Sequence, residues 1–592
     1  MSRRSTRRRF ALAALLALSL VSVFFVRLVD IQVVRAETLN DQAVDKRSIP
    51  KTILGMRGTI VDHDGEVLAD SVLRYDITAS PQMAVDSLVT PESAGEQLAP
   101  LLGRSAEDIA KSLRDAVAAD PDSDYLYLAK KVDVDTFEKV SALGLPWVYF
   151  ESQPARTYPN GAVAGNLLGF VGAANEPQAG VELSEDECLA ATDGSEVYER
   201  SEDGVRIPGS TVMVEEAQDG NDLVLTIDRD LEWYALQTLS KYAQEYGAEW
   251  GVVVVQEVKT GRLVAVADYP TLDPNDVDAS LAEYPDASAL GSRAFTAPFE
   301  PGSTFKTLTT ASLLDAGLIE VDTHVQAPYR FETPEGADVN DSHAHETLDL
   351  TTTGMLIESS NTAMSQLGLL MSSEERYEYM KLFGLGERTE VNFGAEAPGD
   401  LGQDDWDGDG IPDWDPQTDL ATMFGQGITL SAVQVSSIYQ TIANGGVRMP
   451  VSLVEGCRLP DGTMTDVPSD EGTQVISESA ARDTIDMLEN VATQGWLADE
   501  VAIPGYRVGI KTGTAQQPDG NGGYREEYLV SMAGVAPADD PQYVVSVNLS
   551  APVNMNTSGA TAPIFREVMT QVLKDNAVVP SGSSSPDLPA TY

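Results

Sequence analysis

An uncharged run from Phe10 to Val26 sets the first limit on this chain. Seventeen consecutive uncharged, mostly apolar residues are poorly suited to water, and as a helix they rise about 25 Å, the short end of what a bilayer core requires. Five arginines (Arg3, Arg4, Arg7, Arg8, Arg9) precede the run, and no acid stands among residues 1–9. The whole chain carries 92 Asp and Glu against 39 Lys and Arg, a formal net charge of −53 over 592 residues. The positive-inside rule therefore places the basic head in the cytoplasm and the acidic body outside. Arg27-Leu28-Val29-Asp30 follows the run where a small-x-small cleavage site would stand. The expectation is an uncleaved single-pass anchor in the cell membrane over residues 10–27, with a cleaved signal peptide as the rival. Thr6-Arg7-Arg8-Arg9-Phe10 also matches a twin-arginine export pattern, which any arginine cluster ahead of an anchor produces.

The body is too long for one ordinary domain. Its 42% hydrophobic and 22% charged content fits a chain with a packed core. The acidity excludes nucleic acid as a partner, because a phosphate backbone would be repelled. Cys188 and Cys457 are the only cysteines, 269 positions apart. An exported chain can oxidise them. On the boundaries given below they fall in separate domains, and the expectation is two unpaired thiols.

Arg57 to Ala69 reads as a hairpin around the Asp64-Gly65 turn. Residues 70–220 mix strands, short helices and acidic loops, and Glu182 to Asp222 reads as solvated loop. Leu223 to Asp228 is a strand, and Leu231, Ala235, Leu239 and Tyr242 fall on one face of a helix. Gly251–Val258 and Leu263–Asp268 form a hairpin, and three strand-like runs lie at Tyr506–Gln516, Tyr528–Val535 and Tyr543–Leu549. Residues 580–592, rich in Ser and Pro, read as disordered.

Three short motifs stand in order: Ser303-Thr304-Phe305-Lys306 (S-x-x-K), Ser359-Ser360-Asn361 (S-x-N) and Lys511-Thr512-Gly513-Thr514 (K-T-G-T). Each has a decoy in the same chain. Ser48-Ile49-Pro50-Lys51 carries a proline that prevents helical i, i+3 pairing. Ser546-Val547-Asn548 lies in a strand after the third motif, and Lys259-Thr260-Gly261 is the turn of a hairpin. The trio of interest falls on a helix start, a loop or helix end, and an inner strand.

Such a trio can do nucleophilic chemistry. A serine at a helix start lies near unsatisfied N–H groups, and position i+3 puts Lys306 on the same face. A lysine desolvated beside other cations loses its proton near neutrality and can take the proton of Ser303. General-base help of this kind is worth on the order of 10²–10⁴ in rate. Ser359 can relay that proton to a leaving amine, and Asn361 can hold Lys306 and a substrate amide. Lys511 can support Ser359 and a substrate carboxylate. Thr512, Gly513 and Thr514 can bind a peptide laid along the strand, Gly513 leaving the room for it. The N–H groups of Ser303 and Thr514 can form an oxyanion hole. The bland alternatives are a capped helix with a surface lysine at Ser303/Lys306, a cap at Asn361, and ordinary strand residues at Thr512 and Thr514.

The trio, in this order, resembles the penicillin-recognising serine acyltransferases, and most closely the class B penicillin-binding proteins, over roughly residues 25–575. Gly261-Arg262-Leu263-Val264-Ala265 with Pro270 and Asp273-Pro274-Asn275, Glu300-Pro301-Gly302-Ser303, and Gly425-Gln426-Gly427 with Gln434 are similar to the family's catalytic stretches. The Arg57-Gly58 hairpin and Arg156-Thr157-Tyr158-Pro159 resemble its pedestal. The resemblance implies an α+β architecture: a transpeptidase domain over 246–575, with a central antiparallel sheet flanked by helices. It stands on a β-rich, dimerisation-like pedestal over 28–245, between the cytoplasmic tail 1–9 with its anchor and a disordered tail 576–592. It implies a peptidoglycan D,D-transpeptidase that cross-links stem peptides through a serine acyl-enzyme, is inhibited by β-lactams and requires no cofactor. The long pedestal resembles that of septal, division-type members, which implies a polytopic glycosyltransferase and division proteins as membrane partners. An elongation-type transpeptidase, a β-lactamase or carboxypeptidase, a β-lactam sensor and a vestigial scaffold remain as alternatives.

One stretch departs from the family pattern. Asp405, Asp407, Asp409, Ile411 (through its carbonyl) and Asp413 fall at calcium-loop positions 1, 3, 5, 7 and 9, with Gly410 at 6. Position 12 is Pro416 instead of Glu, with Asp415 and Asp419 as substitutes. The expectations are a structural calcium or a solvated acidic loop. His343, His345 and Asp341 read as a solvated cluster rather than a zinc site.

Overall fold

Alternating strands, helices and turns assemble into two compact units, one of residues 1–56 and 191–220, the other of residues 57–190 and 221–592. The computed structural model describes residues 3–35, 48–172, 175–199, 209–284, 290–402, 412–518 and 523–592.

In the first unit, Arg3–Val29 forms one helix, carried on by a π turn at Asp30–Val34. Its Leu- and Ala-rich run has high helix propensity and no charge to interrupt it. Arg7–Val34 is long and apolar enough to cross a membrane, beyond the expected 10–27. Arg27 and Asp30 pair at 2.9 Å where the apolar run ends. Ser48–Ile53, Gly194–Glu199 and Val212–Glu215 make a three-stranded antiparallel sheet, and the Ser48 decoy lies in its first strand.

The second unit holds a pedestal sheet and a catalytic sheet. The long strand Val67–Ala79 pairs with Leu126–Val132, Val148–Thr157 and Ile60–Val61, and Ile60–Val61 pairs with Asp222–Leu225. The next strands come from far along the chain: Val454–Arg458 pairs with Asp222–Leu225, and Met464–Thr465 with Val454–Arg458. The pedestal sheet therefore borrows two strands from beyond residue 246. This corrects the expectation for the cysteines. Cys457 stands opposite Leu223 in this sheet, and Cys188 and Cys457 form a disulfide with Cα atoms 5.9 Å apart. Separation in sequence misled because the chain leaves the catalytic region to complete the pedestal.

Glu182 is a second correction. It opens no solvated loop: its side chain is fully buried, accepting from Arg57 at 2.6 Å, Arg156 at 2.7 Å and the Tyr158 hydroxyl at 3.2 Å. A carboxylate this deep persists because two guanidiniums meet it. The hairpin residue Arg57 and the Arg156–Tyr158 stretch thus converge on one buried acid.

The catalytic sheet runs in the order Leu263–Tyr269, Trp250–Glu257, Tyr543–Ser550, Tyr524–Ala536, Gly509–Pro518, antiparallel throughout. The inner strand Trp250–Glu257 reads as continuous valine because both faces are covered. Val253 and Val255 join the core with helices Arg229–Tyr246 and Ala562–Asp575, while Val252 and Val254 join the core with helix Ala432–Ala443. Helix Arg229–Tyr246, expected in the pedestal, thus packs on the catalytic sheet. Gly509–Pro518 is the edge strand, which corrects the expectation of an inner one. Residues 580–592 are also not disordered. Ser581 donates to Asp539 at 2.6 Å, Leu588 N–H to Asn490 at 3.1 Å, and Thr351 N–H to the Ala590 carbonyl at 3.1 Å.

Candidate active site

Ser303 lies in a 3₁₀ turn, Gly302–Phe305, that runs straight into the buried helix Lys306–Asp315. The turn opens at Gly302 with φ +57°, a conformation natural to glycine. The Gly302 N–H donates to the Gly425 carbonyl at 2.9 Å. Gly427 N–H donates to Glu300 at 3.0 Å. The Gly425-Gln426-Gly427 loop therefore braces the turn from behind.

Lys306 is fully buried at the centre of the site. Its Nζ stands 3.2 Å from Ser303 Oγ, 2.7 Å from Asn361 Oδ1, 2.5 Å from the Ser359 carbonyl and 3.4 Å from Ser359 Oγ. Burial holds its ammonium well below the ordinary lysine value; nearby Lys511 pushes the same way, and Asp341 opposes. Lys511 donates to Ser359 Oγ at 2.9 Å and, through burial, is pushed down to about 7.

Ser359 is the last link of helix Thr352–Glu358 and takes φ +56°, turning the chain so that Ser360 can cap helix Asn361–Gly368. That corner is pinned by a residue the sequence reading placed only in a solvated cluster. Asp341 accepts from Asn361 N–H at 2.6 Å, Thr362 N–H at 3.0 Å, Ser360 Oγ at 2.8 Å and His345 at 3.0 Å. Its negative charge sits at a helix N-terminus, where the unpaired N–H groups favour it. The Glu346 carbonyl and Asp341 raise the His345 pKa. In sequence, Asp341 lies 20 residues before Asn361 with no periodicity to connect them.

Thr512, Gly513 and Thr514 face the cleft from the edge strand. A Cβ on Gly513 would fall 2.3 Å from Ser531 Oγ on the neighbouring strand, so any larger residue must displace that hydroxyl or shift the strand. The cleft encloses about 730 Å³ between this strand, Ser303, Ser359 and Asn361, with Trp496 and Tyr528 also lining it. The exposed ring of Trp496 was not singled out by sequence. All three motifs thus meet in one cleft. The decoys do not: Ser546 to Asn548 lie buried in a central strand, and Lys259 to Gly261 form a turn.

Asp405, Asp407, Asp409 and Ile411 lie outside the described residues. Of the two substitutes for position 12, Asp415 caps helix Pro416–Thr422 and Asp419 pairs with Arg376. Among the described residues no cluster of acids, histidines and cysteines fits a metal ion.

A buried lysine with a lowered pKa beside a serine at the mouth of a sheet edge is the arrangement of penicillin-recognising serine acyltransferases, and fold and site assign the chain to that class. Comparison with known proteins narrows it: the chain belongs to the penicillin-binding protein transpeptidases. Residues 251–570 match the penicillin-binding protein transpeptidase domain, and residues 52–225 the penicillin-binding protein dimerisation domain. Penicillin-binding protein PbpB of Mycolicibacterium smegmatis is 31% identical over 98% of this chain and 91% of its own. Peptidoglycan D,D-transpeptidase FtsI of Escherichia coli is 29% identical over 98% of this chain and 94% of its own. The solved structure of penicillin-binding protein 3 from Mycobacterium tuberculosis, complexed with aztreonam, superposes with a TM-score of 0.69 at 27% identity, covering 92% of this chain and all of that one.

Proposed function

We propose that this chain is a peptidoglycan D,D-transpeptidase of the septal type, working through an acyl-enzyme on Ser303. The observation that carries this reading is Lys306, a buried amine held below its ordinary pKa and 3.2 Å from Ser303 Oγ. As a neutral base it takes the Ser303 proton while Oγ bonds to the penultimate D-Ala carbonyl carbon of a stem peptide. The carbonyl electron pair moves onto oxygen, held by the N–H groups of Ser303 and Thr514. One such donor is worth about 3–4 kcal/mol. The tetrahedral adduct collapses, the C–N bond to the terminal D-Ala breaks, and the proton on Lys306 reaches the leaving amine through Ser359. Lys511 orders that hydroxyl from 2.9 Å and offers charge to the substrate carboxylate. An amine of a neighbouring stem then attacks the ester by the reverse path, forming the cross-link and restoring Ser303.

The exposed edge strand supports a peptide lying as an added strand along Thr512 to Thr514. β-Lactams present the same carbonyl and acylate the same serine. The septal assignment is supported by the FtsI and PbpB relatives. It brings a cytoplasmic N-terminus and, as membrane partners, a polytopic glycosyltransferase and division proteins.

The test is a fluorescent penicillin applied to the full chain in detergent, with the labelled peptide mapped by mass spectrometry and Ser303→Ala as control. A stable label on Ser303, absent in the control, is expected. A label that hydrolyses quickly would make the chain a β-lactamase, and no label on folded protein would reduce it to a scaffold.

A further inference from the structure

Residues 586–592 look dispensable by composition, yet they lie on both elements that shape one side of the cleft. At the start of helix Thr352–Glu358, Thr351 donates its N–H to the Ala590 carbonyl at 3.1 Å and its hydroxyl to the Pro589 carbonyl at 2.5 Å. Leu350 and Thr591 pair as an antiparallel bridge. A Cβ on Gly354 would lie 1.8 Å from the Ala590 oxygen, so the segment rests directly on the helix backbone. That helix ends on Ser359. At helix Glu478–Gln494, Leu588 N–H donates to Asn490 at 3.1 Å, and Gln494 donates to the Leu588 carbonyl at 3.1 Å. Gln494 and the following Gly495 and Trp496 line the cleft. Finally, the Tyr592 ring stacks on His324 at 3.7 Å.

We propose that residues 586–592 are a positioning strap, which holds Ser359 and the Gln494–Trp496 wall in register for acylation of Ser303. The proposal rests on the acyl-enzyme reading for its effect on rate. None of residues 586–592 lines the cleft. They act by fixing the start of helix Thr352–Glu358, whose other end carries Ser359, and the last turn of helix Glu478–Gln494, which leads directly into the Gln494–Trp496 wall. Most of the strap's hydrogen bonds run through backbone carbonyls and N–H groups, with only Leu588 packed on the core and Tyr592 on His324, which is why the composition looks like that of a loose tail.

The test deletes residues 586–592 from the full chain and compares it with Gly354→Ala, which keeps the segment but denies it its seat. Amide hydrogen exchange over residues 352–361 and 490–497 reads the strap without the chemistry. Faster exchange in both variants is expected, reversed in the deleted chain by adding a peptide of residues 586–592. Acylation by fluorescent penicillin is expected to fall by roughly 10- to 100-fold, the cost of a small misplacement of reacting groups, and to recover with the same peptide. Unchanged exchange at both stretches overturns the strap. So does acylation at the full-chain rate, or a loss of rate seen only at temperatures where the variant has begun to melt. Failure of the acyl-enzyme reading is distinct, because it shows as no label on the full chain while the exchange result still decides the strap.

Discussion

Lys306 and Asp341 work against each other at a distance. Burial and Lys511 lower the Lys306 pKa, and the Asp341 carboxylate raises it. Because only the neutral amine can take the Ser303 proton, acylation should rise with pH through the depressed Lys306 pKa, and stopped-flow acylation rates against pH check this. Asp341→Asn removes the opposing charge, so the rising limb should move to lower pH. The plateau should also fall by about tenfold, since the Ser359-Ser360-Asn361 corner loses its anionic pin. A merely structural role for Asp341 would lower the rate without moving the limb.

Among the elements, the edge strand carries a constraint that can be relieved. Gly513→Ala should cut acylation by at least about tenfold, because its methyl group meets Ser531 Oγ at 2.3 Å and the strand must shift away from Ser303. Ser531 Oγ has no hydrogen-bond partner among the described residues, so Ser531→Ala alone should be nearly silent. The double variant should recover much of the lost rate, and acylation kinetics on the four proteins of this cycle decide it. The three motifs were legible because each is a short local pattern set on a recognisable element, and local context (a proline, a late strand, a hairpin turn) excluded the decoys. The hairpin strands at 251 and 263 were equally plain, being apolar runs around a glycine turn. Asp341 was not legible, since a residue that caps a helix 20 positions later leaves no local trace. The edge position of Gly509–Pro518 was hidden too, because strand order depends on partners and not on the strand's own residues. The segment 580–592 misled for a third reason: it is held by backbone atoms and by serine hydroxyls on distant partners, to which composition is blind.

For the molecule as a whole, stability should rest on a few buried polar clusters. Glu182→Ala leaves Arg156 without its acid and Arg57 with only the partly exposed Asp186, a break of a buried pair that typically costs about 3–5 kcal/mol, and thermal melting should register it. Glu232, fully buried against the Val266 N–H, has its pKa raised by burial to about 8. The unfolded chain has lost that proton above about 4.5, so between those values the folded protein holds one proton more and stability falls as pH rises. Glu232→Gln should therefore raise the melting temperature at pH 8 and do little at pH 4, as calorimetry at the two values would show.

The strands Val454–Arg458 and Met464–Thr465, which complete the pedestal sheet, also set a timetable. At synthesis rates of about 5–20 residues per second, the 269 residues between Cys188 and Cys457 take on the order of 10–50 s to emerge. Through that interval the Asp222–Leu225 strand has an open edge, and Cys188 waits as a thiol in whatever oxidant surrounds it. Until its own distal half arrives, that edge and that thiol lack the partners the folded chain gives them.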